Sequence, residues 1–344
     1  MVRRLVPEDL VGHFFAVGSV SETDPQLPAD YVSTLSLPYW YQLPALREED
    51  MVRQFAYMID GFEEEDDFVL DLDMFVYRDI VETEEPILID EEHAHGLYIL
   101  AEKGPFRFFK TQQTAPATMC FTVRGPDGKQ LISAAMLRFF SSLMRRIAEG
   151  QVRFLREFCD TIMLCQDDPA LGFVIEMAER DSSTGLTGAQ IFRETESVFP
   201  AGAIPAYHYC EDWRSLRNDE EHLLWDTKTK IVHIDVVRYP PEIDEEQAER
   251  MNRFMERGGG LALGVLPNVD DGYSRPVIET LTENLHRVLA LLGNRGVDIS
   301  LLATNAMIST QCGLSRATPE LVRQIHARSV EFPIAFERAV KRTT

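Results

Sequence analysis

The stretch Ile204-Pro205-Ala206-Tyr207-His208-Tyr209-Cys210 joins a short apolar run to two side chains that can bind a metal. The apolar run predicts a buried β-strand over residues 204–209. Because side chains alternate between faces along a strand, His208 and Cys210 are expected on one face and Tyr209 on the other. A second thiol comes from Cys312, in Gln311-Cys312-Gly313. The pattern predicts a strand that ends at a reactive site.

Imidazole and thiolate are ligands that zinc prefers, and three protein ligands leave a fourth position for a substrate. The chain contains no Cys-x-x-Cys pair of the kind that small structural zinc sites use. His208, Cys210 and Cys312 are therefore predicted to form a catalytic zinc site. The alternatives are three packed core residues, or a zinc ion that only stabilises the fold.

Apolar strands and helical patterns alternate on both sides of this stretch. The predicted strands cover residues 14–17, 68–77, 106–110, 161–165, 204–209, 231–236, 261–265 and 303–309. The predicted helices cover residues 48–59, 130–158, 188–198, 215–224, 245–257, 277–292 and 319–329. About eight strands with helices between most of them predict an α/β fold, a (β/α)8 TIM barrel, as a single domain over residues 1–344.

Reactive groups of such barrels lie where the strands end. The polar residues at or just past the predicted strand ends are Ser19, Asp167, Asp168, His208, Cys210, Asp235 and Cys312. His93 and His95 are also separated by one residue, but no third ligand is evident nearby, and an exposed loop is predicted there. Tyr39-Trp40-Tyr41 beside Pro38 is interpreted as packing, with part of a lid as the alternative.

Composition narrows the function classes. The net charge of −22 would repel nucleic acid and an anionic membrane surface. No apolar run approaches the roughly 20 residues that cross a bilayer. The N-terminus lacks the apolar segment of a secretory signal, and the five cysteines are too sparse for a disulfide framework. These features predict a cytoplasmic protein whose Cys120, Cys159 and Cys165 are buried, reduced thiols.

Several short motifs follow one another in a specific order. They are Val17-Gly18-Ser19, Asp50-Met51-Val52, Asp60-Gly61-Phe62, Thr114-Ala115-Pro116-Ala117-Thr118, Asp167-Asp168-Pro169-Ala170-Leu171, His208-x-Cys210 and Cys312-Gly313-Leu314. In these motifs the chain resembles the catalytic barrel of cobalamin-independent methionine synthase, within the wider group that includes uroporphyrinogen decarboxylase. As a single barrel it is more similar to the short core forms than to the full-length, folate-using enzymes.

The resemblance implies a role for each matched residue. It implies that His208, Cys210 and Cys312 hold zinc, and that Asp235 stands where the family has a glutamate ligand. It also implies that Asp167 binds the ammonium group of homocysteine, with Gly18 and Ser19 near the carboxylate. A second acid of the family's amino-acid pocket is replaced here by Ala45.

The implied activity is zinc-dependent transfer of a methyl group to a thiol. The expected donor is a methylcorrinoid, free or on a corrinoid protein, and the expected acceptor is homocysteine, which becomes methionine. Coenzyme M or another small thiol is the alternative acceptor, favoured by Ala45. Two other classes stay open: a metal-free lyase resembling uroporphyrinogen decarboxylase, whose arginine-rich loop is not visible, and a non-catalytic subunit stabilised by zinc.

Overall fold

The computed structural model describes residues 4–64, 67–218 and 220–343. The strands among these residues are β1 (Phe62–Glu64), β2 (Phe68–Leu70), β3 (Phe106–Thr114), β4 (Cys159–Asp167), β5 (Ala203–His208), β6 (Arg217–Asn218), β7 (Glu221–His222), β8 (Ile231–Asp235), β9 (Gly260–Leu266) and β10 (Ala306–Thr310). Six of them form one parallel sheet in the order β10-β9-β8-β5-β4-β3.

Two extended segments close this sheet into a barrel. Residues 14–19 lie beside β10, where the Phe15 amide donates to the Ile308 carbonyl at 2.7 Å. Residues 39–42 lie beside β3, where the Trp40 amide donates to the Lys110 carbonyl at 2.9 Å. The two segments pair with each other at residues 19 and 42. Eight parallel elements therefore surround one axis, which confirms the predicted TIM-barrel fold.

Helices surround this barrel. In chain order the described residues contain α1 (Leu27–Val32), α2 (Arg53–Ala56), α3 (Met74–Glu82), α4 (His95–Lys103), α5 (Pro116–Thr122), α6 (Ala134–Leu155), α7 (Leu171–Arg180), α8 (Gly188–Ser197), α9 (Glu245–Glu256), α10 (Val277–Asn294), α11 (Ile299–Asn305), α12 (Pro319–Arg328) and α13 (Phe332–Thr343). No helix in the described part of the chain is long and apolar enough to cross a membrane.

The barrel interior is apolar below the C-terminal ends of its strands. Its buried side chains include Phe15, Phe108, Met163, Cys165, Ala206, Ile231, Ala262 and Met307. A second and larger apolar layer lies between the strands and the helices. Cys120, Cys159 and Cys165 are buried free thiols, which confirms that prediction. Tyr39, Trp40 and Tyr41 are also buried, so they serve as packing residues of a barrel element.

The prediction of a strand over residues 68–77 is wrong for most of its length. Only β2 is extended, and it pairs antiparallel with β1 outside the barrel. Asp73 then starts helix α3, because its carboxylate accepts hydrogen bonds from the Phe75 and Val76 amides. The second barrel element in chain order therefore lies at residues 39–42 and not at residues 68–77.

Two predicted helices also differ from the observed elements. The predicted helix 215–224 is a hairpin of β6 and β7, in which Leu223 pairs with Leu216. The seven-residue spacing of Leu216 and Leu223 matches about two helical turns, but here the two residues pair across the hairpin. The predicted helix 48–59 is shortened to α2. Asp50 accepts hydrogen bonds from the amides of residues 52 and 53, and the turn that these bonds form interrupts the predicted helix.

The histidines at 93 and 95 do not lie in an exposed loop. His95 begins α4, and its ring Nδ1 lies 2.9 Å from the buried carboxylate of Glu49. The His93 ring stacks on Tyr57 with ring centroids 3.6 Å apart. Both side chains are thus partly buried by specific contacts, and no metal-binding group of three forms around them in the described residues.

Candidate metal and substrate site

The C-terminal ends of the barrel strands meet at one rim, and the candidate residues lie there. Strand pairing sets Asp167 beside His208 and His208 beside His233. Thr114 lies beside Asp167 in the same row. Because the strands are parallel and their side chains alternate, this row faces the barrel axis. The rim is the part of such a fold that carries reactive groups.

His208, Cys210 and Cys312 come together at this rim. The His208 Nε2 atom lies 2.7 Å from the Cys210 sulfur and 3.5 Å from the Cys312 sulfur. The two sulfur atoms are 3.2 Å apart. His208 is buried, and both cysteines are partly exposed. Within the described ranges, this is the single group of three or more His, Cys, Asp or Glu side chains close enough to hold a metal ion.

The course of β5 explains why two of these side chains share a face. Tyr207 points outward, and its hydroxyl donates to the Asp168 carboxylate at 2.9 Å. His208, which follows Tyr207, and Cys210, two positions after His208, therefore point inward. Cys312 follows the end of β10, which β8 and β9 separate from β5 in the sheet. The curvature of the barrel brings the two strand ends together.

The three donor side chains are electrostatically coupled. The pKa of Cys312 lies well below its ordinary value because Cys210 hydrogen-bonds to its sulfur and, together with His208, outweighs burial. The same hydrogen bond and burial hold the pKa of Cys210 well above its ordinary value. Burial disfavours a charged His208, but the hydrogen bond and charge of Cys312 raise its pKa. The hydrogen bond between the two cysteines therefore favours the negative charge on Cys312 and the proton on Cys210.

The donor atoms fit zinc. Zinc binds imidazole nitrogen at about 2.0–2.1 Å and thiolate sulfur at about 2.3 Å, in a tetrahedral arrangement. These bond lengths place neighbouring ligand atoms about 3.5–3.8 Å apart. The separations of 2.7, 3.2 and 3.5 Å reach this range when the side chains shift by less than about 1 Å. Three donors leave one of the four positions to a substrate atom.

Asp167 ends β4 in the same row as His208, and its side chain is partly exposed. Its Oδ1 atom accepts a long hydrogen bond from the Cys165 thiol at 3.5 Å. Burial raises the pKa of Asp167, and the charges of His208 and Lys110 partly offset that effect. The Lys110 ammonium is fully buried and donates to the Val17 carbonyl at 2.8 Å. An acidic group at this position can receive the ammonium group of a substrate.

Gly18 and Ser19 lie near the loop that carries Cys312. The Ser19 carbonyl accepts a hydrogen bond from the Leu314 amide at 2.8 Å. A Cβ added at position 313 would lie 2.0 Å from the Ser19 hydroxyl oxygen, which is too close for any non-bonded contact. A Cβ on Gly18 would lie 3.0 Å from the Gln112 side chain. The structure thus places both predicted substrate residues at the rim, where close approach requires glycine at positions 18 and 313.

The structure does not bring Asp235 into the donor group. Its Oδ1 atom accepts hydrogen bonds from the Val237 amide at 3.0 Å and the Arg238 amide at 2.9 Å. The Gln311 side chain donates to its Oδ2 atom at 3.2 Å. A short aspartate side chain at a strand end commonly bonds to its own turn in this way. Asp235 therefore holds the turn after β8 and the residue that precedes Cys312.

His233 is a residue of the site that the sequence analysis missed. It lies two positions before Asp235 on the inward face of β8, and it is fully buried. Its Nδ1 atom lies 2.8 Å from the Nδ1 atom of His208. The alternation that predicts a shared face for His208 and Cys210 also places His233 and Asp235 on one face. That signal was present in the sequence.

Comparison with known proteins supports the fold. No family model matches the chain, and no curated protein matches it. A B12-independent methionine synthase from Shewanella sp. W3-18-1, solved in complex with selenomethionine, is similar with a TM-score of 0.56 and 12% identity, over 97% of this chain and 98% of that chain. At this identity the likeness supports the barrel architecture alone.

Two further solved structures are similar over the whole length but less closely. One is a methyltransferase from Methanosarcina mazei, with a TM-score of 0.47 and 12% identity over 98% of this chain and 95% of that chain. The other is a candidate vitamin-B12-independent methionine synthase from Listeria monocytogenes, with a TM-score of 0.49 and 11% identity over 100% of this chain and 99% of that chain.

Proposed function

We propose that this protein is a zinc-dependent methyltransferase that moves a methyl group from a methylcorrinoid, free or protein-bound, to a thiol. The proposed acceptor is homocysteine and the product is methionine. The observation that carries the proposal is the convergence of His208, Cys210 and Cys312 at the rim of a TIM barrel. The order of motifs along the chain and the barrel shared with a methionine synthase structure are in keeping with it.

The types of donor favour alkyl transfer over hydrolysis. Hydrolytic zinc sites mostly combine histidine with carboxylate ligands. Here two sulfurs and one imidazole form the group, and the Asp235 carboxylate is occupied by its own turn. Zinc held by two thiolates is electron-rich, which suits a nucleophilic sulfur better than an activated water. When bound, zinc would lower the pKa of a substrate thiol from its ordinary value of about 8.5.

The remaining rim residues orient the acceptor. Asp167 lies in the row of His208 and receives the ammonium group of homocysteine. Gly18 and Ser19, beside the loop of Cys312, lie near its carboxylate. Lys110 beneath the rim supplies a positive charge that favours the ionised form of Asp167. These contacts hold the acceptor sulfur toward the three donor side chains.

The reaction balances without an oxidant or reductant. A bond forms between the thiol sulfur and the methyl carbon, and the cobalt–carbon bond of the donor breaks. The electron pair of that bond stays on cobalt, and the thiol proton is released to solvent. The protein therefore needs to position two substrates and favour loss of one proton.

A second candidate acceptor is coenzyme M or another small thiol without an amino group. Ala45 stands where the resembled family has an acid for homocysteine, and it is exposed. A methyl side chain cannot bind an ammonium group. This observation favours an acceptor that needs only one acidic contact, or none.

The experiment that tests the proposal is incubation of the purified protein with zinc, methylcobalamin and homocysteine, with methionine measured by mass spectrometry. We expect methionine to form, to be lost on Cys312→Ala and to persist on Cys159→Ala, which alters a buried cysteine at the other end of β4. Methylation of coenzyme M without methionine would establish the second acceptor. If neither thiol is methylated by methylcobalamin or by a methylated corrinoid protein, the methyltransferase proposal fails, which would favour a non-catalytic role.

A further inference from the structure

His233 connects two strands that carry candidate metal ligands. Its Nδ1 atom lies 2.8 Å from His208 Nδ1 at the end of β5. Its Nε2 atom lies 2.8 Å from the carbonyl oxygen of Thr310 at the end of β10. Thr310 in turn donates its hydroxyl hydrogen to the Cys312 carbonyl at 2.8 Å. The three hydrogen bonds form one path from His208 to the backbone of Cys312.

These contacts determine which nitrogen carries each proton. The Thr310 carbonyl can only accept, so the Nε2 atom of His233 must be protonated. The ring is fully buried, and its two hydrogen-bond partners, a backbone carbonyl and another imidazole, carry no negative charge that would stabilise a charged ring, so the ring is neutral. A neutral ring has one N–H, so the Nδ1 atom of His233 is an acceptor. His208 must therefore donate from its own Nδ1 atom.

The resulting tautomer of His208 is the one that a metal needs. With the hydrogen on Nδ1, Nε2 is the nitrogen left to bind a metal, and it faces Cys210 and Cys312 at 2.7 and 3.5 Å. Metal-binding histidines generally donate their other ring N–H to a fixed acceptor, which sets the orientation of the ring. A neutral histidine is an unusual acceptor. Here the Thr310 carbonyl accepts from the Nε2 atom of His233 and thereby sets which ring nitrogen of His233 is the acceptor.

Gly264 makes this path possible. Strand β9 lies between β8 and β10, so His233 must reach across it to Thr310. Gly264 is paired with Asp235 on one side and Ser309 on the other, at the height of the site. A Cβ there would lie 3.0 Å from the Thr310 carbonyl oxygen. The missing side chain leaves that oxygen open to the histidine.

We propose that His233 is a positioning residue, which holds His208 in the Nδ1–H tautomer and ties β5 to β10 so that His208, Cys210 and Cys312 are arranged for zinc. The proposal rests on the metal site of the proposed function. It adds a residue that does not touch the metal but governs its affinity. Loss of such a partner lowers metal affinity by about 10- to 100-fold in related arrangements.

The experiment measures zinc affinity by competition with a chromophoric chelator. His233→Leu is expected to bind zinc about 10- to 100-fold more weakly than the wild type. His233→Gln should recover most of the loss, because its amide oxygen can accept from His208 and its NH2 can donate to Thr310. His326→Gln is the matched control, since His326 is also buried and makes two hydrogen bonds on the outer side of the barrel.

Wild-type zinc affinity in folded His233→Leu would overturn the proposal. If that variant does not fold, nitrogen NMR of the histidine rings in the wild-type, zinc-loaded protein carries the test. The expected result is Nε2–H on His233 and Nδ1–H on His208, and the opposite tautomers would overturn it. Zinc binding that depends on His233 without methyl transfer would retain this inference and reject the proposed function. A wild-type protein that binds no zinc would reject the site on which both depend.

Discussion

The sulfur atoms of Cys210 and Cys312 lie 3.2 Å apart, although 102 positions separate the two residues in the chain. Both are partly exposed at the barrel rim, whereas Cys120, Cys159 and Cys165 are buried. Parallel strands that end at the same rim account for the first observation, and the apolar layers account for the second. The protein therefore has two chemically distinct classes of thiol.

This difference predicts selective alkylation. Iodoacetamide should modify Cys312 first in the folded, zinc-free protein, because its pKa lies well below the ordinary value, and added zinc should protect it. Burial raises the pKa of Cys159 to about 11 and holds that of Cys165 well above its ordinary value, so these thiols should react slowly. Peptide mass mapping measures the outcome. Equal modification of Cys159 or Cys165, or no protection by zinc, would contradict the assignment.

Asp167→Asn should weaken binding of an amino-acid thiol. Loss of a charge-assisted hydrogen bond costs about 1.5–3 kcal/mol, which corresponds to a rise of about 10- to 150-fold in KM for homocysteine. Coenzyme M has no ammonium group, so its KM should change little. Steady-state kinetics with both thiols measures the difference. An equal loss with the two acceptors would show that Asp167 does not bind the ammonium group.

Gly313→Ala should disturb the contact between two rim loops. The new Cβ would overlap the Ser19 hydroxyl, while the Ser19 Cβ lies 3.3 Å away. We expect the variant to raise the KM for homocysteine and to lower the midpoint of urea unfolding. The double variant Ser19→Ala/Gly313→Ala removes the overlapping oxygen and should recover part of the loss in the unfolding midpoint. Strictly additive effects would mean that the two loops do not press on each other.

Asp168 should contribute a pH-dependent part of the stability. It is fully buried, it accepts hydrogen bonds from Thr118 at 2.7 Å and Tyr207 at 2.9 Å, and burial raises its pKa to about 6. Since the unfolded value is about 3.9, the folded protein binds this proton more tightly. The contribution is complete below about pH 4 and is lost as the pH rises through about 6. The change amounts to about 3 kcal/mol.

Urea unfolding at a series of pH values measures this contribution. Asp168→Asn should flatten the decline in the free energy of unfolding between about pH 4 and about pH 7. Asp160→Asn, at an exposed position on the same strand, is the control and should follow the wild type. Identical pH profiles for Asp168→Asn and the wild type would contradict the assignment.

The barrel could be predicted from the sequence because its strands are continuous apolar runs. β5, β8 and β9 end within one residue of their predicted bounds, since buried parallel strands give a strong local signal. The element at residues 39–42 could not be predicted in this way. It is short, it follows Pro38, and isolated bridges to Lys110 and Ser19 hold it in place. Those partners are distant in the sequence.

The candidate site could be predicted in part. Strand alternation and ligand chemistry predicted His208, Cys210 and Cys312 as a group, and the resemblance to a family assigned a role to Asp167. The contacts of Asp235 were not visible, because they depend on its own turn and on the side chain of Gln311. The role of His233 depends on Thr310, 77 positions away. Long-range hydrogen bonds of this kind leave no periodic pattern in a sequence.

The zinc content of the purified protein, measured by mass spectrometry for elemental zinc, tests the central claim most directly. We predict about one zinc per chain in the wild type and in Cys159→Ser, and little zinc in Cys312→Ser that is folded by circular dichroism. A wild-type protein that stays zinc-free after exposure to zinc, or a Cys312→Ser variant with the full zinc content, would contradict the assignment of His208, Cys210 and Cys312 as a metal site.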